Sequence, residues 1–249
     1  MTGITTKFGN SLRRDGIRLT FLKAVRYPFV KIRSRDFQRE ERFTRIYKNN
    51  SWRDEESVSG PGSTLKHTEH LRKELPKLIS DHSIKSLFDA PCGDFNWMKE
   101  FLKDFRIDYI GGDIVQPLVD VLHSIYSDER TAFVHIDLVK GHFPKADCMI
   151  CRDCLFHLSF ADTKALLQNY VDSEIRFLLT TTYINANQFS NKDVDLDDGA
   201  FRLIDLFSSP YNFPNDPLAR IDDWIPPDPE RQMCLWSRDQ VIKALSRFE

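Results

Sequence analysis

Glycine is scarce in this chain of 249 residues: there are 10, where average usage of about 7% would give roughly 17. Any loop that brings the backbone close to a ligand must therefore be an economical one. Long hydrophobic runs are missing too, since no stretch reaches the roughly 18 consecutive apolar residues that a membrane-crossing helix needs. Nor does the start have the make-up of a secretion signal: Met1 to Asn10 is polar, and Phe21 to Val30 is interrupted by Lys23, Arg26 and Pro28. The cysteines are Cys92, Cys148, Cys151, Cys154 and Cys234. An odd set bunched in mid-chain excludes a disulfide framework and points to a reducing, cytoplasmic compartment.

A strong net charge is also lacking, but only on average. The formal charge of −2 argues against a protein that coats nucleic acid. Residues 1–50, however, hold 13 Lys and Arg against 4 Asp and Glu, a balance of +9, so the remainder carries −11. A basic arm on an acidic body is a candidate contact for an anionic membrane surface or another polyanion. With 41% hydrophobic residues, the chain is long enough for one substantial core rather than two small ones.

Residues 12–47 mix basic and apolar side chains with partial helical periodicity broken at Pro28, which predicts two helices. Ser57 to Thr64 reads as a loop from its Gly, Pro and Ser content. A helix is expected over Thr64–Ser80, with Ser63 or Thr64 as its cap. The division that follows is a basic helical extension and lid loop over residues 1–63 and a single catalytic domain over 64–249.

From residue 84 short apolar runs alternate with helical segments. Strands are expected at Ser86–Ala90, Asp108–Gly112, Ala132–Ile136, Asp147–Cys151 and Ile175–Thr180, and helices near Trp97–Lys103, Gln116–Tyr126 and Ser159–Val171. Alternation of this kind predicts a doubly wound, mainly parallel α/β sheet. Residues 184–232 lose the regularity. Gln232–Trp236 then reads as a last strand, followed by a Ser237 cap and a terminal helix.

The segment Ser86-Leu-Phe-Asp-Ala-Pro-Cys-Gly-Asp-Phe-Asn-Trp-Met98 is the most informative. A strand ends in Asp89, turns through Gly93 and enters a helix, and in open α/β sheets ligands bind beyond such strand ends. The second strand ends at Asp113, whose spacing suits a carboxylate that accepts both hydroxyls of a ribose. The third ends at Asp137. Three strand-end aspartates in register form one acidic rim, although aspartate is also common where strands simply stop.

FDAPCGDFNWM, YIGGDIV, VHIDL, CMICRDCLFHLS and FLLTTTY together resemble a class I S-adenosylmethionine-dependent methyltransferase. An upstream W…ESVSGPGSTL segment marks a particular branch of that superfamily. The resemblance runs from about Phe43 to Leu235. It implies a Rossmann-like sheet of seven strands, the last antiparallel and supplied by Gln232–Trp236, with S-adenosylmethionine as cofactor. Carried over by position, the acidic-x-Gly-x-Gly-x-Gly turn falls on Asp89, Pro91, Gly93 and Phe95, so only the middle glycine is kept. Cys92 and Asp94 complete the cofactor turn. Asp113 would hold the ribose and Asp137 the adenine amino group, with Ile114 and Leu138 beside the purine.

In this superfamily the acceptor meets the methyl group beyond the fourth strand, which points to Asp153 and His157 as candidate bases. His157 reads equally as a packing or capping residue, and Asp153 as one that orients the acceptor or touches the cofactor. Arg152 is assigned to the cofactor or an anionic group, or pairs with a neighbour. The spacing Cys148-x-x-Cys151-x-x-Cys154 raises a metal, but residues three apart on a strand face opposite ways, so the thiols are expected as small core hydrophobes. Trp52, Ser63 and Thr64 are expected in a lid, and Tyr183 in the acceptor pocket. The expected reaction is O-methylation of a small molecule or a glycan in a surface-polysaccharide pathway. Two rivals stay open: a methyltransferase of RNA or protein, and a silent cofactor-fold adaptor that uses the basic arm.

Overall fold

The computed structural model describes residues 38–193 and 201–248. Helix α1 runs from the first described residue, 38, to 48. The rest of the basic arm, including the first of the two helices expected there, lies outside the described residues. Arg42–Glu249 form one compact unit. The loop around 57–64, grouped with the extension from its composition, belongs to this unit because its polar groups bond to the body. Ser57 Oγ and Val58 N both donate to the Asp94 carboxylate.

Seven strands form a single sheet in the order β3-β2-β1-β4-β5-β7-β6. They are β1 (Ser86–Asp89), β2 (Asp108–Asp113), β3 (Thr131–His135), β4 (Cys148–Cys151), β5 (Phe177–Tyr183), β6 (Ala219–Asp222) and β7 (Arg231–Ser237). The first five pair in parallel, while β7 runs antiparallel to both β5 and β6. The central strands read as continuous apolar runs because both faces are covered. Cys148, Met149, Ile150 and Cys151 are all buried. One face packs α2 (Glu69–Asp81), α3 (Asn96–Asp104) and α4 (Gln116–Tyr126), with Leu71, Leu75, Met98 and Leu118 in that core. The other packs α5 (Phe160–Asp172) and α6 (Arg238–Leu245) through Leu166, Leu167 and Val241. Cys148 lies in the first core, Cys151 and Cys154 in the second. Among the described residues no group of His, Cys, Asp and Glu could hold a metal, and no helix is long and apolar enough to cross a membrane.

Three expectations need correction. Helix α2 starts at Glu69, not Thr64, because Pro61–Ser63 take a 3-10 turn and the Thr64 hydroxyl donates to Pro61 O instead of capping a helix. Strand β6 was not anticipated, since its four residues sit in a stretch rich in Asp and Pro. The three aspartates are also staggered. Asp89 is level with Gly111, Asp113 is level with His135, and Asp137 lies two residues beyond the end of β3. The terminal helix does follow its cap: Ser237 accepts from Gln240 N, and the Gln240 side chain reaches back to the Ser237 backbone.

Candidate functional site

The strand order reverses between β1 and β4, the place where open α/β sheets bind ligands beyond their carboxyl ends. The turn after β1 bridges it. Ala90 N donates to Ile150 O on β4 and Cys92 N donates to Gly112 O on β2, across a cis Ala90–Pro91 peptide. Gly93 has φ +54°, and a Cβ there would come within 2.2 Å of Ser59 Oγ. The glycine is thus required by the loop folded over it as well as by its backbone conformation. That loop takes Asp94 away from a cofactor role. Both Asp94 carboxylate oxygens face Ser57 Oγ, at 3.1 and 2.9 Å, and one also accepts from Val58 N at 2.8 Å. Asp94 N in turn donates to Ser59 Oγ at 2.8 Å.

Two carboxylates stand under this roof. Asp89 is 2% exposed and accepts from the Tyr109 hydroxyl at 2.8 Å. Burial pushes its pKa up to about 7, against the Tyr109 hydrogen bond and a weaker pull from Arg152. Asp113 is 6% exposed and accepts from Gly93 N at 3.1 Å and Val115 N at 3.0 Å. Burial raises it too, opposed by those backbone donors. The Ile114 amide is a third backbone donor to this carboxylate. The Cys92 thiol is buried beside them and pushed well up by desolvation.

The remaining cofactor candidates divide. Ile114 is half-buried at the end of β2. Asp137 accepts from Val139 N at 3.0 Å, which shapes its own turn, and borders a groove of about 400 Å³ with His135, Ile136 and His142. The Leu138 side chain is part of the core.

Beyond β4 the structure corrects two assignments. Arg152 turns to the interior and grips Asp223 with Nε at 2.9 Å and Nη2 at 3.1 Å, while Nη2 also donates to Gly62 O. Its guanidinium is thus engaged with these partners inside the protein. Asp153, at φ +53°, is held by Arg231 Nη1 at 2.9 Å and Arg152 Nη1 at 3.3 Å. Burial works to raise its pKa, but Arg152 and Arg231 overcome that and hold it below the usual carboxylate range. A carboxylate so stabilised is a poor base. Arg231 and Asp223 were not singled out from sequence, and no motif marks them. They meet Arg152 and Asp153 only through the pairing of β6 and β7 beside β5.

His157 is half-buried in a 3-10 turn after β4. Trp52 stacks on it at 5.9 Å and 30°, with Phe156 edge-on at 4.5 Å and Phe43 at 6.4 Å. Trp52 therefore roofs the site. Ser63 and Thr64 serve the roof from within: Ser63 O accepts from Asn96 Nδ2, and Thr64 Oγ1 accepts from His67 N. Tyr183 ends β5, buried against Phe156 and Phe201, its hydroxyl pushed up to about 12 by burial.

No protein-family model matches the chain, and no curated protein sequence matches it. Solved structures do. The fold is similar to magnesium protoporphyrin IX methyltransferase of Synechocystis PCC 6803 with bound S-adenosylhomocysteine, at a TM-score of 0.55 and 12% identity, over 84% of this chain and 99% of that one. It is also similar to the pyocyanin biosynthetic protein PhzM, at 0.53 and 19%, over 70% of this chain and 56% of that one. The seven-stranded sheet with its antiparallel closing strands is the class I methyltransferase fold.

Proposed function

We propose that this chain transfers a methyl group from S-adenosylmethionine to the hydroxyl of a small molecule. The observation that carries the reading is the pair of buried carboxylates Asp89 and Asp113 beside the switch point, whose direct partners are a phenol and backbone amides. The residues fit the cofactor. Asp113, held by backbone amides at the end of β2, is the acceptor proposed for a ribose hydroxyl, and a cation placed near Asp89 would relieve a carboxylate that burial now destabilises. When bound, S-adenosylmethionine supplies an electrophilic methyl carbon on a sulfonium. Ile114, after β2, and Asp137, two residues beyond β3, are the residues proposed to flank the purine.

The protein's own work is alignment and proton removal. The segment from Trp52 to Thr64 rests on the turn at Gly93 and Asp94 and on His157, where it would cover a bound cofactor. Asp153 is locked between two guanidiniums, which leaves His157, in the turn after β4, as the group proposed to take the hydroxyl proton. Calorimetric titration of the full chain with S-adenosylmethionine tests the reading. Binding is expected, and a folded sample without it would refute cofactor and activity together. His157→Ala is expected to lower single-turnover methyl transfer about 10²- to 10⁴-fold at unchanged cofactor affinity.

A further inference from the structure

A second hollow lies on the flank of the domain, between the loop from Phe207 to Asp216 and the end of α6. Its volume is about 710 Å³, and it shares no lining residue with the candidate cofactor site or the ion cluster. That size falls among small-molecule sites. The loop that walls it is anchored at several points. Asn212 Nδ2 donates to Arg247 O at 2.9 Å, Arg220 Nη2 to Asn215 O at 3.0 Å and Gln240 Nε2 to Asp216 O at 2.8 Å. Trp236 Nε1 donates to Pro214 O at 3.3 Å, and its ring meets Phe213 at 4.7 Å. The Arg220 guanidinium lies over Phe207 at 4.8 Å. A wall held in this way lowers the ordering cost of binding.

The polar side chains that line the hollow are not spent on the fold. Lys243, Arg247, Asn215 and Asp216 are exposed, and among the described residues none of the four has a side-chain hydrogen bond or an ion pair. Lys243 and Arg247 are four residues apart across the end of α6, where Ser246 N still donates to Ile242 O and Arg247 N to Ala244 O. The two cations therefore project from neighbouring positions. They stand on a body whose residues 51–249 carry −11. Two adjacent cations match a phosphate monoester, with nearly two negative charges, better than a single carboxylate. Cations at a helix end also complement its dipole, but that gives no use to Asn215 and Asp216 on the loop wall. A carboxylate repels a bare phosphate and accepts from hydroxyls.

We propose that this hollow binds the phosphate monoester of a polyhydroxylated compound, its phosphate at Lys243 and Arg247 and its hydroxyls at Asn215 and Asp216. Phe207 and Pro214, both half-buried, give its carbon skeleton an apolar floor. No step of methyl transfer runs through the site, so it stands apart from the reading above.

The test titrates glucose 6-phosphate by calorimetry into the full chain at low ionic strength, with glucose and inorganic phosphate as separate arms. Glucose 6-phosphate is expected to bind more tightly than either. Lys243→Ala and Arg247→Ala should each weaken it about threefold to fivefold, and added salt should weaken it too. Asp216→Ala should act with opposite signs, weakening glucose 6-phosphate and strengthening inorganic phosphate. Lys103→Ala, which removes a lysine paired with Glu100 on α3, should change nothing. Absence of binding, or affinity indifferent to Lys243→Ala and Arg247→Ala, overturns the proposal. So does competition by S-adenosylhomocysteine, which would put the phosphate in the cofactor site. Inorganic phosphate bound as tightly as glucose 6-phosphate, with Asp216→Ala strengthening both, overturns it as well, because the cations would then merely collect a counter-ion.

Discussion

Two groups of buried charge share the rim of this sheet. Beside β1 and β2, Asp89 and Asp113 are almost fully buried with only a phenol and backbone amides as direct partners, and burial raises both. Beside β4 and β7, Arg152, Asp153, Asp223 and Arg231 are paired two against two, and Asp153 is lowered in spite of its burial. Desolvation acts on both groups, and only one is neutralised from within. A balanced cluster holds a wall in place, whereas an unbalanced one stores a preference for a cation that the protein does not supply. Such a place is where the cofactor site is proposed.

The largest expected effect breaks the balanced side. Removing Arg231 leaves Asp153 and Asp223 buried without one of their two cations, which should cost about 3–5 kcal/mol of stability in urea unfolding. A loss below about 1 kcal/mol would mean that the cluster is not what fixes β6 and β7 beside β5. The unbalanced side should answer differently. Asp113→Asn leaves an acceptor for only one of the two backbone amides, Gly93 N and Val115 N, so stability should fall by about 1–3 kcal/mol, while S-adenosylmethionine affinity falls by about 1.5–3 kcal/mol, roughly 10- to 100-fold. Equal affinity in calorimetry would remove Asp113 from the cofactor site.

The pH dependence sharpens the contrast. Asp89 has a pKa of about 7 in the folded chain against roughly 3.9 when unfolded. Its contribution to folding is therefore complete below about pH 4 and is lost as pH rises through 7. A cationic ligand reverses the preference. S-adenosylmethionine affinity should climb about tenfold in all between pH 6 and 8, levelling off above 7, in step with ionisation of Asp89. Asp89→Asn should flatten that profile, and a wild-type profile already flat would show that no cation meets this carboxylate.

The unbalanced side was legible in the sequence because its parts are local. Asp89, Gly93 and the entry to α3 lie within one strand-turn-helix, and Asp113 follows at the end of the next strand. Helix α4 was bounded correctly at Gln116 and Tyr126 because its start, its apolar spacing and its end agree. The balanced side was not legible. Asp223 lies 71 residues from Arg152, next to a four-residue edge strand whose alternation is too short to stand out. Charged residues in such a stretch look like surface until the antiparallel closure turns them inward. Asp94 misled for the same reason: its neighbour Gly93 suggested a ligand, and its actual partners, Ser57 and Val58, come from a loop 36 or more residues upstream.

The smallest expected effect concerns how the roof is seated on the unbalanced side. Gly93→Ala puts a Cβ in a left-handed conformation, costing about 1–2 kcal/mol, and drives it against Ser59 Oγ. Ser59→Gly alone loses the acceptor for Asp94 N, about 1 kcal/mol. In the double variant the backbone strain persists but the collision is gone, so the two changes should cost less together than their sum, with a coupling of about 0.5–2 kcal/mol. Strict additivity would mean that the loop does not rest on the turn and that Gly93 is demanded by backbone conformation alone. The same coupling should appear in cofactor affinity if the roof closes over a bound ligand as it closes over the empty turn, since both depend on Ser59 staying within hydrogen-bond reach of Asp94.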